Sequence, residues 1–289
     1  MRGTLPCMAN YRRSMTRSVE DHFGRLSCSG HWSALYQGTP DSRTFSFRIR
    51  RARVLELLEG HGGRVLDLGC GPGVMIPDLL ERGWEFYGLD ASAEILAEAE
   101  TVASSRADRA RVHLRRGDVC RLDYPDASFD AVLAMGLLEY LSSDEIVVAL
   151  MNIRRVLRDG GIAVMSIPKR WHLDRVVVTT LGPVRWALRP IREKVIQTPR
   201  DTIRRTRLQP RELDRLMAAH GFDRVDGLSY SFTPLPYPIT ALLPRLSQRV
   251  NAPWERFARC RGWRVLASGY IGKYVRRPAA DAAVALEGA

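Results

Sequence analysis

Hydrophobic residues follow two alternating patterns through the middle of the chain. Short apolar runs such as "RVLDLG", "EFYGLD", "RVHLRRGD" and "FDAVLAMG" are typical of buried strands, whereas "SAEILAEAETVASS" and "SSDEIVVALMNIRRVLRDG" repeat their apolar residues at helical spacing. Strands that alternate with helices predict a parallel sheet covered by helices on both faces. We therefore predict an α/β fold in which Ser92 and either Ser142 or Ser143 begin two helices, and "RDGG" ends the second of them.

The pattern changes on both sides of this region. "FSFRIRRARVLELLEG" predicts a helix that leads into the first strand, and residues 1–60 are predicted to form an N-terminal helical lid. After Pro168 the alternation stops. We predict one domain over 61–289, with a helical cap inserted around 169–208 and a second insertion around 233–260. "QPRELDRLMAAHGF" predicts a helix between the insertions, and "FDRVDGLSYSF" and "GWRVLASGYIGKYVRR" predict the last two strands.

Composition is that of a globular protein. The chain has 289 residues, of which 45% are hydrophobic and 26% charged. No apolar run approaches the ~18 residues of a membrane span, and the first residues lack the apolar core of a secretory signal. The five cysteines are odd in number, with no Cys/His cluster at metal-ligand spacing. We expect a cytoplasmic protein without a metal site, and leave association with a membrane surface open.

Net charge is the unusual bulk property. A charge of +12 attracts nucleic acid, membrane surfaces and acidic substrates alike. Nearly all of the 44 basic residues are arginines, a bias typical of a GC-rich genome, so the charge by itself predicts solubility. Thirteen basic and five acidic residues lie within 169–215, among apolar residues such as Trp171 and Trp186. This segment is either a solvated basic lid around an apolar pocket or a face that contacts an anionic membrane or a lipid-like or acidic substrate.

The first candidate ligand-binding segment is "VLDLGCGPG", in which a glycine-rich loop follows the first predicted strand. It lacks the lysine of a phosphate-binding P-loop. It also lacks the third glycine of a dinucleotide loop, since Val74 stands there. Asp90 ends the next strand 21 residues after Gly69, where a carboxylate can accept hydrogen bonds from both ribose hydroxyls. This spacing points to an adenosyl nucleoside, although a simple tight turn remains the alternative.

Two further acids end neighbouring strands. Asp67 lies in the first strand, and Asp118, in "GDV", follows the third, where an exocyclic adenine amine could donate to it. All three acids therefore fall at the carboxyl ends of strands, where open α/β sheets bind ligands. Asp67 could instead cap a helix, and Asp118 could be a solvated strand end. Cys70, within the loop, is interpreted as a small neutral filler.

Five segments taken together resemble the motifs of class I S-adenosylmethionine-dependent methyltransferases. They are "VLDLGCGPG", "YGLDAS", "RRGDV", "LDYPDASFDAVLAMGLLEYL" and "IRRVLRDGGIAVMSIP", in order over residues 64–168. The resemblance implies a Rossmann-like, mostly parallel seven-stranded sheet with an antiparallel last strand, and S-adenosyl-L-methionine as cofactor. A sulfonium cation without a phosphate also suits a site lined by acids.

The resemblance assigns roles to individual residues. The glycine loop would lie along the methionine part of the cofactor, and Asp90 in "LDAS" would bind the ribose. Asp118 in "GDV" would meet the adenine together with Val119, and "AMGLLEYL" would border the sulfonium and the substrate. The residues predicted to bind the cofactor are Asp67, Gly69, Gly71, Gly73, Asp90, Ala91, Asp118, Val119 and Met135.

Predictions for the acceptor side rest on fewer signals. "HFGRLSCSGHWSALY" resembles an N-terminal lid whose aromatic residue closes over the sulfonium, with Tyr36 or Trp32 as candidates. Cation–π attraction of ~0.5–2 kcal/mol would be the reason, and ordinary packing is the alternative. His172, just past the strand that ends at Pro168, is the candidate base, with His22 and His31 as others. Glu139 in "LLEYL" is a second acceptor for a proton, unless it braces the following helix.

These observations predict methyl transfer from S-adenosylmethionine to a small-molecule or lipid-like acceptor, with an oxygen nucleophile first and nitrogen or carbon after. The resemblance extends diffusely to magnesium-protoporphyrin and ubiquinone-type O-methyltransferases. An RNA methyltransferase would use the basic surface, but the chain has no appended RNA-binding module, so nucleic acid is not the expected partner. A non-catalytic cofactor-binding subunit is the other alternative. The sequence makes no prediction about oligomeric state.

Overall fold

The computed structural model describes residues 42–169, 206, 208–231, 244–260 and 262–278. Its strands form one seven-stranded sheet in the order β3-β2-β1-β4-β5-β7-β6, which is parallel except for β7. The strands are β1 (Arg64–Leu68), β2 (Glu85–Asp90), β3 (Val112–Arg116), β4 (Phe129–Met135), β5 (Leu157–Pro168), β6 (Phe222–Tyr230) and β7 (Gly269–Arg276). The predicted Rossmann-like fold, with its antiparallel last strand, is confirmed.

Helices connect these strands. They are α1 (Ser42–Leu57), α2 (Ile76–Glu81), α3 (Ala93–Ser104), α4 (Ser143–Val156), α5 (Pro210–Ala219) and α6 (Pro244–Arg259). Ser92 caps α3 by accepting from the amide of Ile95, as predicted. Ser142, rather than Ser143, caps α4 and forms a capping box with Glu145.

The predicted end of α4 is wrong. The helix stops at Val156, before "RDGG", because Leu157 already has extended backbone angles and pairs with Phe129 of β4. The "RDGG" segment belongs to the start of β5, where Gly160 adopts a left-handed φ of +71°. These glycines therefore bend the incoming strand and do not close the helix.

The core lies on both faces of the sheet. Alternate residues of β4 point to opposite sides, since Ala131 and Leu133 pack in one cluster and Val132 and Ala134 in the other. This two-sided burial explains why the central strands read as continuous apolar runs. The boundaries predicted for the lid and the two insertions stay predictions, because most of the lid and of the first insertion lies outside the described residues.

The packing of α1 positions its preceding turns at the carboxyl edge of the sheet. Val54 and Leu57 of α1, and Leu58 just after it, are buried in the core cluster on one face of the sheet, and α1 contacts β6, β7 and α6. The preceding turns of the same helix are thereby held at the carboxyl edge of the sheet, where Phe47 and Arg50 line a cavity.

Candidate functional site

A cavity of about 210 Å³ lies at the carboxyl ends of the central strands. Every residue predicted to bind the cofactor lines it except Gly73, and so does Glu139. Four loops contribute to its walls: the glycine loop after β1, the turn after β2, the segment after β3 and the segment after β4. The residues expected from the sequence in this cavity are Asp67, Gly69, Gly71, Asp90, Ala91, Asp118, Val119 and Met135.

The glycine loop is tied to β2 by its own backbone. The amides of Gly69 and Cys70 both donate to the carbonyl of Leu89, at 2.7 Å and 3.1 Å. Gly71 has a left-handed φ of +57°, and a Cβ built on it would meet nothing within 4 Å. The loop therefore presents open backbone to the cavity, as close approach of a ligand requires. Cys70 is buried, and burial raises the pKa of its thiol well above the usual value, so the thiol stays neutral.

Gly73 has a different role. Its Cβ would lie 2.6 Å from Cδ1 of Ile76 and 3.2 Å from Cα of Ala99, and its φ is +73°. A side chain here would push α3 away from the loop. The lack of a side chain at Gly73 thus allows close packing of the helices behind the loop.

Asp90 orients the loop and faces the cavity. Its Oδ2 accepts from the amide of Gly71 and its Oδ1 from the amide of Ser92, both at 3.0 Å. Burial raises the pKa of this carboxyl, and the two amides oppose that shift. Each oxygen retains a lone pair after its backbone hydrogen bond. The two oxygens can therefore accept from the two hydroxyls of a ribose diol.

Asp67 is the most buried acid of the cavity. It is only 2% exposed, and its Oδ1 has no hydrogen-bond partner. Burial, and then the charge of Asp90, raise the pKa of Asp67 to about 7, against the opposing charge of Arg50. It does not cap the following helix, since Met75 holds the cap position of α2. An unsatisfied buried carboxyl is what a cationic, hydrogen-bond-donating ligand group would satisfy.

Asp118 caps a short turn and also lines the cavity. Its Oδ1 accepts from the amide of Cys120 at 2.8 Å and so caps the short 3₁₀ turn Val119–Arg121. Its side chain also lines the cavity beside the buried Val119. The cap fixes the direction of the carboxylate and leaves the other oxygen for a donor in the cavity.

Sequence reasoning missed Phe47 and Arg50. Both lie on α1, with the Arg50 guanidinium carbon 4.7 Å from the Phe47 ring centroid. Nη1 of Arg50 would lie 2.8 Å from a Cβ on Gly136, which places the guanidinium over the end of β4. The motif "RIRRAR" offers several arginines, and spacing along α1 predicts a helix without showing which arginine reaches the site.

A second cavity of about 220 Å³ adjoins the first and shares Phe47, Arg50 and Glu139 with it. Glu139 lies in the short turn Leu138–Tyr140, at the boundary of the two spaces. The remaining lining residues of the second cavity are Ser46, Ser166, Pro168, Lys169, Tyr230 and Ser268. The structure thus has room for two ligands side by side.

Several predicted acceptor-side residues lie outside the described residues. These are Tyr36, Trp32, His172, His22 and His31. Their roles stay predictions.

The charged side chains that line the first cavity fit a cationic ligand. Among the described residues, five acidic side chains and one basic side chain line it: Asp67, Asp90, Asp118, Glu139 and Glu145 against Arg50. Since the described lining includes no lysine and the glycine loop lacks the P-loop pattern, a polyphosphate is disfavoured. A nucleoside with a sulfonium and an ammonium group suits both the acid balance and the unpaired oxygen of Asp67.

The reversed last strand and the acidic cavity beside the glycine loop agree with the resemblance to class I S-adenosylmethionine-dependent methyltransferases. A family profile described as "Methyltransferase domain" matches residues 65–161. This match agrees with the resemblance to class I S-adenosylmethionine-dependent methyltransferases, and with the cofactor, that were predicted from the sequence.

Named relatives and solved structures agree with this assignment. The chain is 36% identical over 115 residues to phosphatidylethanolamine N-methyltransferase of Cereibacter sphaeroides, covering 40% of this chain and 55% of that protein. It is 29% identical over 189 residues to ubiquinone biosynthesis O-methyltransferase of Azorhizobium caulinodans, covering 64% and 67%. Magnesium protoporphyrin IX methyltransferase of Synechocystis with bound SAH has the same fold, with a TM-score of 0.62, 16% identity and coverage of 90% and 99%. The chain spans about half the length of the first curated relatives it matches.

The raised pKa of Asp67 predicts a pH-dependent stability of the ligand-free protein. Unfolding restores the ordinary pKa of 3.8 from about 7, so the folded state binds more protons between these values. Stability therefore falls as pH rises through this window, by up to ~1.4 kcal/mol per pH unit. Urea unfolding at pH 5, 6, 7 and 8 measures the slope. We expect Asp67→Asn to flatten it, and an unchanged slope in that variant would contradict the assignment.

Proposed function

We propose that the protein transfers the methyl group of S-adenosyl-L-methionine to an oxygen atom of a small-molecule or lipid-like acceptor. When bound, this cofactor supplies a methyl group on a positively charged sulfur. The observation that carries the proposal is the pair of adjoining cavities, one acidic and fitted to the nucleoside, the other beside it with Glu139 at their boundary. Two joined spaces allow donor and acceptor to be held together.

The protein contributes mainly orientation. Asp90, with the glycine loop fixed to it, holds the nucleoside, and Asp118 holds its base end. Fixed in this way, the methyl group can be aligned with an acceptor in the second cavity. Good alignment of reacting groups supplies ~7–11 kcal/mol of a barrier.

Glu139 is the proton acceptor in this proposal. Its position at the boundary lets a carboxylate oxygen take the proton of the acceptor hydroxyl as the new O–C bond forms. A positioned base contributes ~10²–10⁴-fold. His172 stays the alternative base predicted from the sequence.

Three relatives support the acceptor class. Phosphatidylethanolamine N-methyltransferase is named for a lipid, and ubiquinone biosynthesis O-methyltransferase and malonyl-[acyl-carrier protein] O-methyltransferase of Enterobacter lignolyticus are named for transfer to oxygen. The first of these names nitrogen, which is therefore the second candidate acceptor atom.

We also propose that the protein contacts a membrane surface peripherally. None of the helices in the described part of the chain has the length and apolar character of a membrane-spanning helix. The segment 169–215, from which contact was predicted, lies mostly outside the described residues. Exposed aromatic residues on and after α6 support contact, because Trp254 and Trp263 are 39% and 48% exposed close to Arg256 and Arg264.

Incubation with cofactor labelled in its methyl group and a cell extract tests the proposal. We expect label in the organic-soluble fraction, and a Glu139→Gln variant with ~10²-fold lower turnover and unchanged cofactor affinity. Label in RNA would favour the RNA methyltransferase reading, with binding that falls steeply with salt. No transfer despite cofactor binding would favour a non-catalytic subunit.

A further inference from the structure

Lys169 is a buried cation that has no counter-ion among the residues the structure describes. It follows β5 directly, is 9% exposed, and donates from Nζ to Oγ of Ser229 at 3.0 Å and to the carbonyl of Arg264. None of the ion pairs formed within the described part of the chain includes it. A buried ammonium costs free energy unless an opposite charge compensates it.

Ser166 is a second unsatisfied group in the same space. Its side chain is 1% exposed, and its Oγ has no hydrogen-bond partner. Ser166 and Lys169 line the second cavity together, three residues apart at the end of β5. Buried hydroxyls are normally paired, so an orphan hydroxyl beside a cavity indicates a ligand atom as its missing partner.

The balance of charge in this cavity is positive. Lys169 and Arg50 are its basic lining residues, and Glu139, on the side shared with the first cavity, is its one acidic residue in the described part of the chain. The first cavity has the opposite balance. Two neighbouring cavities of opposite charge imply two ligands of opposite charge.

We propose that the second cavity binds an anionic group of the methyl acceptor, a carboxylate or a phosphate, with Lys169 as its counter-ion and the Ser166 hydroxyl donating to it. This assignment rests on the proposed function, since it makes the second cavity the acceptor site. The anionic group anchors the acceptor at the far end of this cavity. The methylated atom then lies nearer Glu139, at the boundary with the first cavity.

The electrostatics of Lys169 agree with this geometry. Burial, and then the charge of Arg264, lower the pKa of Lys169 to about 8. The other charged or titratable groups around it are Arg50, Glu139 and Tyr230, all of which line the same cavity. A bound anion would favour the charged lysine, so its pKa rises on binding, and anion affinity falls as pH rises above about 8.

Lysine NMR tests the proposal directly, because the chain has only three lysines, Lys169, Lys194 and Lys273. Protein labelled at lysine Cε and saturated with S-adenosylhomocysteine is titrated with pH, with and without acetate, octanoate, inorganic phosphate or octyl phosphate. We expect at least one of these anions to raise the Lys169 midpoint by ~1 unit, as a tenfold preference for the charged form requires. Octanamide, the neutral counterpart, should not shift it.

Variants assign the signal and supply the control. Lys169→Met removes the signal and should lower anion affinity at least tenfold by calorimetry, while Ser166→Ala lowers it several-fold. Lys273→Met is the matched control, because Lys273 lies outside both cavities and contacts His61. It should bind the same anions as the unmodified protein.

The outcomes separate this inference from the proposed function. If S-adenosylhomocysteine binds but none of the four anions shifts Lys169, the anion site is overturned and the methyltransferase proposal stands. If anions bind but S-adenosylhomocysteine does not, the proposed function fails and the anion site stands. A response to acetate and octanoate alone identifies a carboxylate, and a response to the phosphates alone identifies a phosphate.

Discussion

Replacing Asp90 with alanine will lower the affinity for S-adenosylmethionine at least ~100-fold. The carboxylate accepts hydrogen bonds from the amides of Gly71 and Ser92 and faces the cavity, where we propose that the ribose binds, so its loss frees the loop and removes two acceptors at once. Hydrogen bonds to charged groups contribute ~1.5–3 kcal/mol each, and two ribose hydroxyls would lose theirs. Calorimetry with the purified protein measures the change.

Asp123→Ala is the matched control for this effect. Asp123 is an exposed acid whose carboxylate pairs with Arg115, away from both cavities. Cofactor affinity should be unchanged in this variant. Equal affinity of the Asp90→Ala variant and the unmodified protein would overturn the assignment of Asp90 to the ribose.

Replacing Gly73 with valine will cost the largest share of stability, ~3 kcal/mol or more. A left-handed φ costs a residue with a Cβ ~1–2 kcal/mol, and overpacking against Ile76 and the backbone of Ala99 adds ~1–3 kcal/mol. For a domain of this size, such a loss lowers the melting temperature by ~10 °C. Thermal and urea unfolding measure both quantities.

Gly83→Val separates the two contributions. Gly83 has a similar φ of +86°, but a Cβ there would meet nothing within 4 Å. Only the backbone strain should appear in that variant. If Gly73→Val is no less stable than Gly83→Val, the close packing of α3 behind the glycine loop does not contribute.

Elements with strong local signals could be predicted from the sequence. Burial on both faces makes β4 a continuous apolar run, and Ser92 begins α3 at the residue that its side-chain chemistry favours. The three aspartates of the first cavity could be predicted because each lies at or just beyond the carboxyl end of its own strand, and parallel strands end at one edge. The role predicted for "RDGG", the end of a helix, was wrong because glycine is equally suited to end a helix and to bend a strand.

The acceptor side could not be predicted in the same way. Arg50 reaches Gly136 from 86 residues away in the chain, and Lys169 contacts residues 60 and 95 positions further on. Periodicity shows that α1 is a helix but not which of its turns overhangs the sheet. In the sequence, Ser166 is an ordinary residue of a buried strand. Only its three-dimensional environment shows that its hydroxyl lacks a hydrogen-bond partner.

The reversed direction of β7 has a consequence for how such a protein can diversify. Since β7 runs antiparallel between β5 and β6, both of those strands end on the same edge, and the chain leaves the sheet at Lys169 and again at Ser231. Ser268 joins the two exits, because its carbonyl accepts from Lys169 and its amide donates to Ser231. Both long excursions of the chain thus depart beside the basic cavity, on the opposite half of the sheet from β1, β2 and β3. Under the proposed function, segments exchanged there would alter the acceptor site while the strands beside the first cavity remain as they are.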